Sequence, residues 1–210
     1  MADTAHEDAV RAAYDDFAEA YLDHVRGDLD ARPLERAMLA AFAEVVAADG
    51  GGPVADVGCG PGRVTAHLRD LGTDAFGIDL SPGMVAIAHR EHPGLRFEVG
   101  TLTALDLPDG GLAGVLAWYS LIHVDPEMVP VALGELYRVT APGGRLLAAF
   151  QVGDEPLYVE RVGLDFHRLQ PDRVAEQLED RGFSVDARLV RAPEPTESVP
   201  QAFLLAHRPR

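Results

Sequence analysis

The side chains in this sequence best placed to do chemistry lie between positions 56 and 79. Gly58-Cys-Gly-Pro-Gly62 follows a short apolar run and opens a helical pattern. Glycines at such a junction let the backbone approach a ligand at a helix N-terminus, as nucleotide sites require. Two neighbours refine the ligand. Asp56 precedes the loop by two residues; a carboxylate there repels a pyrophosphate and suits an ammonium group. Arg63 stands where a dinucleotide fingerprint wants Gly or Ala for close helix–strand packing. Both differences favour a nucleotide carrying an amino acid over NAD. Asp79 ends the next strand pattern, 23 residues after Asp56. An acid at that strand tip accepts hydrogen bonds from ribose hydroxyls. Ser81 can cap the following helix, with Pro82 at its first position, which leaves Asp79 for the sugar.

A second group follows the fourth strand pattern, in Trp118-Tyr-Ser-Leu-Ile-His123. In an open parallel sheet, ligands bind beyond the carboxyl ends of the strands. His123 is a candidate base near neutral pH, with Tyr119 beside it as the second candidate catalytic side chain. The plainer role for His123 is packing against the helix that begins at Asp125-Pro126. Trp118 and Tyr119 are candidates to wall a ligand, and one of them is expected in the core. Tyr14, Phe17 and Tyr21 form a helical stripe that either packs on the domain or sends a hydroxyl into the site.

These groups need elements to hold them. Helices are expected over residues 5–27 and 33–48, then a break at Asp49-Gly-Gly-Gly-Pro53. Strands over 54–57, 75–79, 95–99, 111–119 and 144–152 alternate with helices over 62–71, 82–92 and 125–139. A helix over 171–181 and strands over 184–190 and 201–207 complete the chain. Such alternation predicts an α/β domain with a mostly parallel sheet and helices on both faces. A single domain over 1–210 is expected, with N-terminal helices over 1–48 covering the site and a core over 53–210.

Three blocks now carry a resemblance: Asp56-Val-Gly-Cys-Gly-Pro-Gly62, Gly77-Ile-Asp-Leu-Ser-Pro-Gly-Met84 and Ala141-Pro-Gly-Gly-Arg-Leu-Leu147. From about Tyr14 onward the chain resembles the class I methyltransferases that use S-adenosylmethionine (SAM). The resemblance implies a Rossmann-like, doubly wound seven-stranded sheet of order 3-2-1-4-5-7-6, its last strand antiparallel. It implies that Asp56 and the loop glycines Gly58, Gly60 and Gly62 hold the methionine part and Asp79 the ribose. Leu80 and Met84 would line the adenine pocket. Arg63 could pair with the cofactor carboxylate. The family often has an Asp after the glycine of the third loop, at the adenine amino group; here the residues are Gly100-Thr-Leu102, so Thr101 hydroxyl or backbone groups would substitute. In small-molecule members an N-terminal helix closes over the cofactor, and Tyr14, Ala18 and Tyr21 match that pattern. Acceptor-binding segments in the family follow the fifth strand, where this chain has Phe150, Tyr158, Phe166 and His167.

The activity so implied is in-line methyl transfer from SAM, with S-adenosylhomocysteine as product, to nitrogen or oxygen of a small molecule, as in secondary metabolism. A non-catalytic SAM-binding or regulatory protein is the alternative, against which the intact Asp56 and Asp79 count. With no metal-ligand cluster and no strong base in the pattern, nitrogen is favoured. Asn- or Asp-Pro-Pro-Tyr, which serves amide and base-nitrogen methylation, is absent after the fourth strand. The formal net charge of −16 disfavours nucleic acid and anionic membranes as partners. No apolar run is long enough to span a bilayer, and three acids fall in the first ten residues, so a cytoplasmic location is expected. The lone Cys59 excludes an internal disulfide, and the absence of Lys excludes Schiff-base chemistry. Monomer and homodimer both stand open.

Overall fold

The computed structural model describes residues 2–160, 162–195 and 197–210. Nine strands and six helices follow one another in it. Helix α1 (Ala2–Val25) and helix α2 (Pro33–Ala48) are joined by a 3-10 turn over Leu29–Ala31. Strand β1 (Pro53–Val57), helix α3 (Arg63–Asp70), strand β2 (Asp74–Asp79), helix α4 (Pro82–Glu91) and strand β3 (Phe97–Val99) form the first half of the core. Strand β4 (Leu112–Trp118), helix α5 (Val129–Val139) and strand β5 (Thr140–Gln151) follow. Then come a hairpin of β6 (Leu157–Val159) and β7 (Leu164–Phe166), helix α6 (Pro171–Asp180), and strands β8 (Ser184–Arg191) and β9 (Gln201–His207).

Seven of these strands make one sheet of order β3-β2-β1-β4-β5-β9-β8. The first five are parallel, and β9 runs antiparallel to both neighbours. With the hairpin set aside as an insertion, this is the order and strand sense that the family resemblance implies. Period-two alternation divides the core. Leu146, Ala148, Phe150 and Leu204 join Leu133 and Leu136 of α5 and Val174 and Leu178 of α6 on one face. Leu147, Ala149, Phe203 and Leu205 join Leu39 and Phe42 of α2 and Leu68 of α3 on the other. Strands buried on both faces read as continuous apolar runs, as in Val115-Leu-Ala-Trp118.

Several boundaries differ from the sequence expectation for local reasons. Helix α5 starts at Val129, not at Asp125. The Asp125 carboxylate accepts a bond from Glu127 N at 2.9 Å, and its carbonyl accepts from Met128 N and Val129 N. Such an Asx turn competes with helix. Ala141-Pro-Gly-Gly144, most of which precedes the strand expected over 144–152, lies inside β5, with Gly143 at φ 83° donating to the Arg208 carbonyl. Strand β3 is only three residues long, because Leu95 N turns back to the His92 carbonyl. The β6–β7 hairpin was not foreseen: three-residue strands give no readable alternation. Among the described residues no helix is long and apolar enough to cross a membrane.

Candidate active site

All the parallel strands end on the same side, and the loops after β1, β2, β3 and β4 meet there around one cavity. Its floor is Val57, Gly58 and Gly60 from the β1–α3 loop and Asp79 to Ser81 from the end of β2. Gly100 to Thr103, Trp118 to Ser120 and His123 form two walls. Helix α1 closes the top with Glu7, Val10, Tyr14 and Tyr21. It docks on α4 by packing Ala18 against Met84 and Ile87.

The three loop glycines do different work. Gly58 has φ 81°, and a Cβ there would lie 2.2 Å from Ser120 Cβ, so the loop after β4 requires it. Gly62 has φ 81°, and its Cβ would strike the Phe97 ring at 2.6 Å; it belongs to helix packing and does not line the cavity. Gly60 faces the cavity beneath Tyr21. The sequence assigned all three to ligand approach, whereas two of them answer to neighbouring protein atoms.

Asp79 ties two of these loops together. Its carboxylate accepts from Gly60 N at 2.7 Å and from Ser81 N at 2.9 Å. Ser81 caps α4 by accepting from Met84 N at 3.0 Å, as expected, and also donates to Asp15 of α1 at 2.5 Å. Burial pushes the Asp79 carboxyl up to about 6, against the pull of those backbone donors. Asp56 lies beneath the glycine loop, outside the cavity lining and fully buried. Thr65 donates to its Oδ2 at 2.7 Å, while Oδ1 has no partner. Burial raises this carboxyl to about 7. A fully buried carboxyl beneath the cavity and a half-buried one lining it, both with raised pKa values, suit a positive or hydrogen-bond-donating ligand.

On the β4 side, Tyr119 has φ 57°, a left-handed conformation that non-glycine residues rarely take. It turns the phenol away to donate to Glu35 at 3.3 Å, where Arg191 also donates to Glu35 at 3.0 Å. Burial, reinforced by Glu35, drives the phenol far above its ordinary range, so Tyr119 keeps its proton. His123 is half-buried between Tyr14, whose hydroxyl lies 2.9 Å from its Nε2, and the Phe166 ring, 4.6 Å away between centroids. Burial, with His167 and His6 nearby, pulls its pKa down to about 3. His123 is therefore neutral at pH 7, and its Nδ1 is buried without a partner. Trp118 Nε1 and Ser120 Oγ, both in the cavity wall, are buried without partners.

Arg63 takes no part in the first cavity. It pairs with Asp28 at 3.7 Å and lines a second cavity beside Tyr14, Phe17, Tyr21, Tyr119, His123 and Gln151. Leu157, Val159 and Phe166 of the hairpin form its far wall. The Tyr14–His123 pair is thus the partition between two chambers. Of the sequence candidates, the first cavity gathers Tyr14, Tyr21, Gly58, Gly60, Asp79, Leu80, Met84, Gly100, Thr101, Leu102, Trp118, Tyr119 and His123. Asp56, Gly62 and Arg63 lie beneath or beside it. Glu7, Thr103 and Ser120 were missed. Glu7 carried a signal: it falls on the α1 face of Val10, Tyr14 and Ala18, where an acid is out of place.

The family description "Methyltransferase domain" matches residues 54–144, which hold the glycine loop, Asp79 and the β4 end. A demethylmenaquinone methyltransferase of Beutenbergia cavernae is 35% identical over 140 residues, 67% of this chain and 57% of that protein. The chain spans little more than half the length of that relative. The magnesium protoporphyrin IX methyltransferase of Synechocystis PCC 6803, solved with SAM, superposes with a TM-score of 0.71 at 21% identity over 97% of each chain. A Burkholderia thailandensis 1,6-didemethyltoxoflavin N1-methyltransferase, solved with 1,6-didemethyltoxoflavin and S-adenosylhomocysteine, gives 0.66 at 23% identity, over 90% of this chain and 86% of that one. The two structures share the fold, and the sequence match adds the signature. Residues 54–144 belong to the methyltransferase-domain family, and the chain as a whole is similar to methyltransferases in sequence and to SAM-dependent ones in fold.

Proposed function

We propose that the first cavity binds SAM and that the chain transfers its methyl group to a small-molecule acceptor held in the second cavity. The residues present fit the cofactor. Gly60 leaves open floor, the partnerless Asp56 Oδ1 offers negative charge beneath it, and Asp79 offers acceptors to ribose hydroxyls. Leu80, Met84 and Leu102 supply an apolar slot for a flat base. The methionine end belongs with the glycine loop and Trp118. The placement of two carboxyls at this floor carries the assignment: the unpartnered Asp56 Oδ1 beneath the glycine loop suits an ammonium, and Asp79 at the lining suits a diol.

When bound, SAM supplies an already activated methyl group, so orientation and exclusion of water provide most of the catalysis. Tyr14 and Tyr21 on α1 cover the cavity and keep water out. Tyr119, its proton held by Glu35, and His123, neutral and hydrogen-bonded to Tyr14, shape the passage between the chambers. Neither is a strong base. That favours an acceptor nitrogen, which can lose its proton to solvent before attack, over a hydroxyl needing a base at the moment of transfer. The apolar wall of Phe17, Ile122, Leu157 and Phe166 suits a planar, largely apolar acceptor of the kind made in secondary metabolism. Arg63 on this side favours an acceptor oxygen or carboxylate as its partner. The acidic surface fits small-molecule work in the cytoplasm without nucleic acid or membrane.

Incubation with methyl-labelled SAM and a panel of small aromatic amines and phenols tests this reading. Label should appear in an acceptor with stoichiometric S-adenosylhomocysteine, and amines should lead. SAM binding with no transfer to any acceptor would instead favour a non-catalytic binding protein.

A further inference from the structure

The loop after β3 places threonines where it meets the apolar slot, and neither hydroxyl is free for a ligand. Thr101 Oγ1 and Thr103 Oγ1 both donate to Glu7 Oε1 of α1, each at 2.5 Å. The loop is itself rigid: Gly100 N donates to the Asp79 carbonyl at 2.9 Å, and Thr101 bridges to Ala104. Two donors on one carboxylate oxygen hold the group in one orientation and leave Oε2 as its second acceptor. Glu7 is half-buried and lines the first cavity beside Leu80, Met84 and Leu102. The helix that carries it is held down at further points, by His6 on the His123 carbonyl at 2.9 Å and by Asp15 on Ser81 and Gly83.

We propose that Glu7 is the residue that reads the base: its carboxylate accepts a hydrogen bond from the exocyclic amino group of adenine, with Thr101 and Thr103 as positioning residues. This inference rests on the assignment of a SAM site to the first cavity. An ionised carboxylate only accepts, so it suits an amino group and repels the carbonyl oxygen of a 6-oxo purine. A site built around such a group rejects the analogue that cannot donate. The acid comes from the covering helix, not from the sheet, so the base is read only when α1 is docked. Cofactor recognition and closure of the cavity are then one event.

Calorimetric titration with S-adenosylhomocysteine and with its 6-oxo counterpart, S-inosylhomocysteine, tests this on the full chain. Wild type should prefer the adenosyl ligand by about 10–100-fold, the range of one hydrogen bond to a charged group. Glu7→Gln keeps the side-chain length and an oxygen for the two threonines, and its amide can present either a donor or an acceptor. It should bind the adenosyl ligand more weakly and discriminate by less than about threefold. Equal affinities in wild type, or a preference that survives in Glu7→Gln, would overturn the role of Glu7 while leaving the SAM site intact. Failure of both ligands to bind wild type would overturn the SAM site, and this inference with it. An unchanged melting temperature of Glu7→Gln shows that the comparison is between folded proteins.

Discussion

The two chambers on either side of Tyr14 and His123 are built in opposite ways. The first is made by consecutive short loops at the ends of β1, β2, β3 and β4, each held by hydrogen bonds to the next, such as Asp79 to Gly60. The second is made by parts far apart in the chain: α1, Asp28 and Arg32 on either side of the 3-10 turn, Glu35 of α2, the β6–β7 hairpin and the connection into β9. Its polar side is a network in which Arg32 and Arg191 share Glu35 and Glu197. Under the assignment proposed above, the scaffold holds its cofactor with sheet-end loops and leaves its acceptor to insertions. Relatives with one cofactor and unlike acceptors can then differ in the second chamber alone.

Substitutions should respect that division. The largest effect is expected on the first side. Gly58→Ala places a Cβ against Ser120 in a left-handed backbone, at a cost of about 3 kcal/mol or more. Melting should fall by about 6–12 °C and cofactor binding should be lost; a melting curve like wild type would show that the β4 loop yields easily. On the second side, Phe166→Ala removes the ring packed on His123. Turnover of the acceptor identified from the panel should fall about tenfold or more, with S-adenosylhomocysteine affinity within twofold of wild type. Equal loss of both would merge the two chambers into one site.

A smaller, graded effect comes from pH. Asp56 and Asp79 titrate near 7 and 6 in the fold, above the ordinary 3.8 of an aspartate. A raised carboxyl binds protons more tightly folded than unfolded. Its contribution to stability is therefore full below about 4 and is lost as pH rises through 6–7. Cofactor binding runs the other way, because the ligand selects the ionised forms. Affinity should fall as pH drops below about 7, approaching tenfold per unit for each group that must release a proton. Melting temperatures with and without S-adenosylhomocysteine from pH 5 to 8 measure both trends. A ligand-induced shift that stays flat with pH would contradict the assignment of these carboxyls.

How much of this could be read from the sequence follows the same line. The alternation of strands and helices was readable because its signals are local: a glycine loop after an apolar strand, an acid at a strand tip, Ser81-Pro82 as a cap; the sheet order came only with the family resemblance that those blocks carry. The hairpin was not readable, since its strands are three residues long. Nor could the sequence show that Arg63 turns away from the first cavity, because its partner Asp28 lies 35 residues earlier in the chain. Residue type left His123 open as a base or a packing residue; the sequence could not show that desolvation, with His167 and His6 nearby, lowers its pKa to about 3. Environment, not spacing, decides that property. Glu7 lay on the inner face of α1 in plain view, but its meaning depends on threonines 94 and 96 residues away.

The central claim is that the carboxyls at the ends of β1 and β2, Asp56 and Asp79, hold SAM. Calorimetric titration of wild type and Asp79→Asn with S-adenosylhomocysteine at pH 7.5 tests it most directly. Asp79→Asn keeps the size of the side chain while removing its charge and one of its two acceptors. One-to-one binding by wild type, weakened at least about tenfold in Asp79→Asn, is the predicted result. No binding at millimolar ligand, or equal affinity in the two proteins, would contradict it.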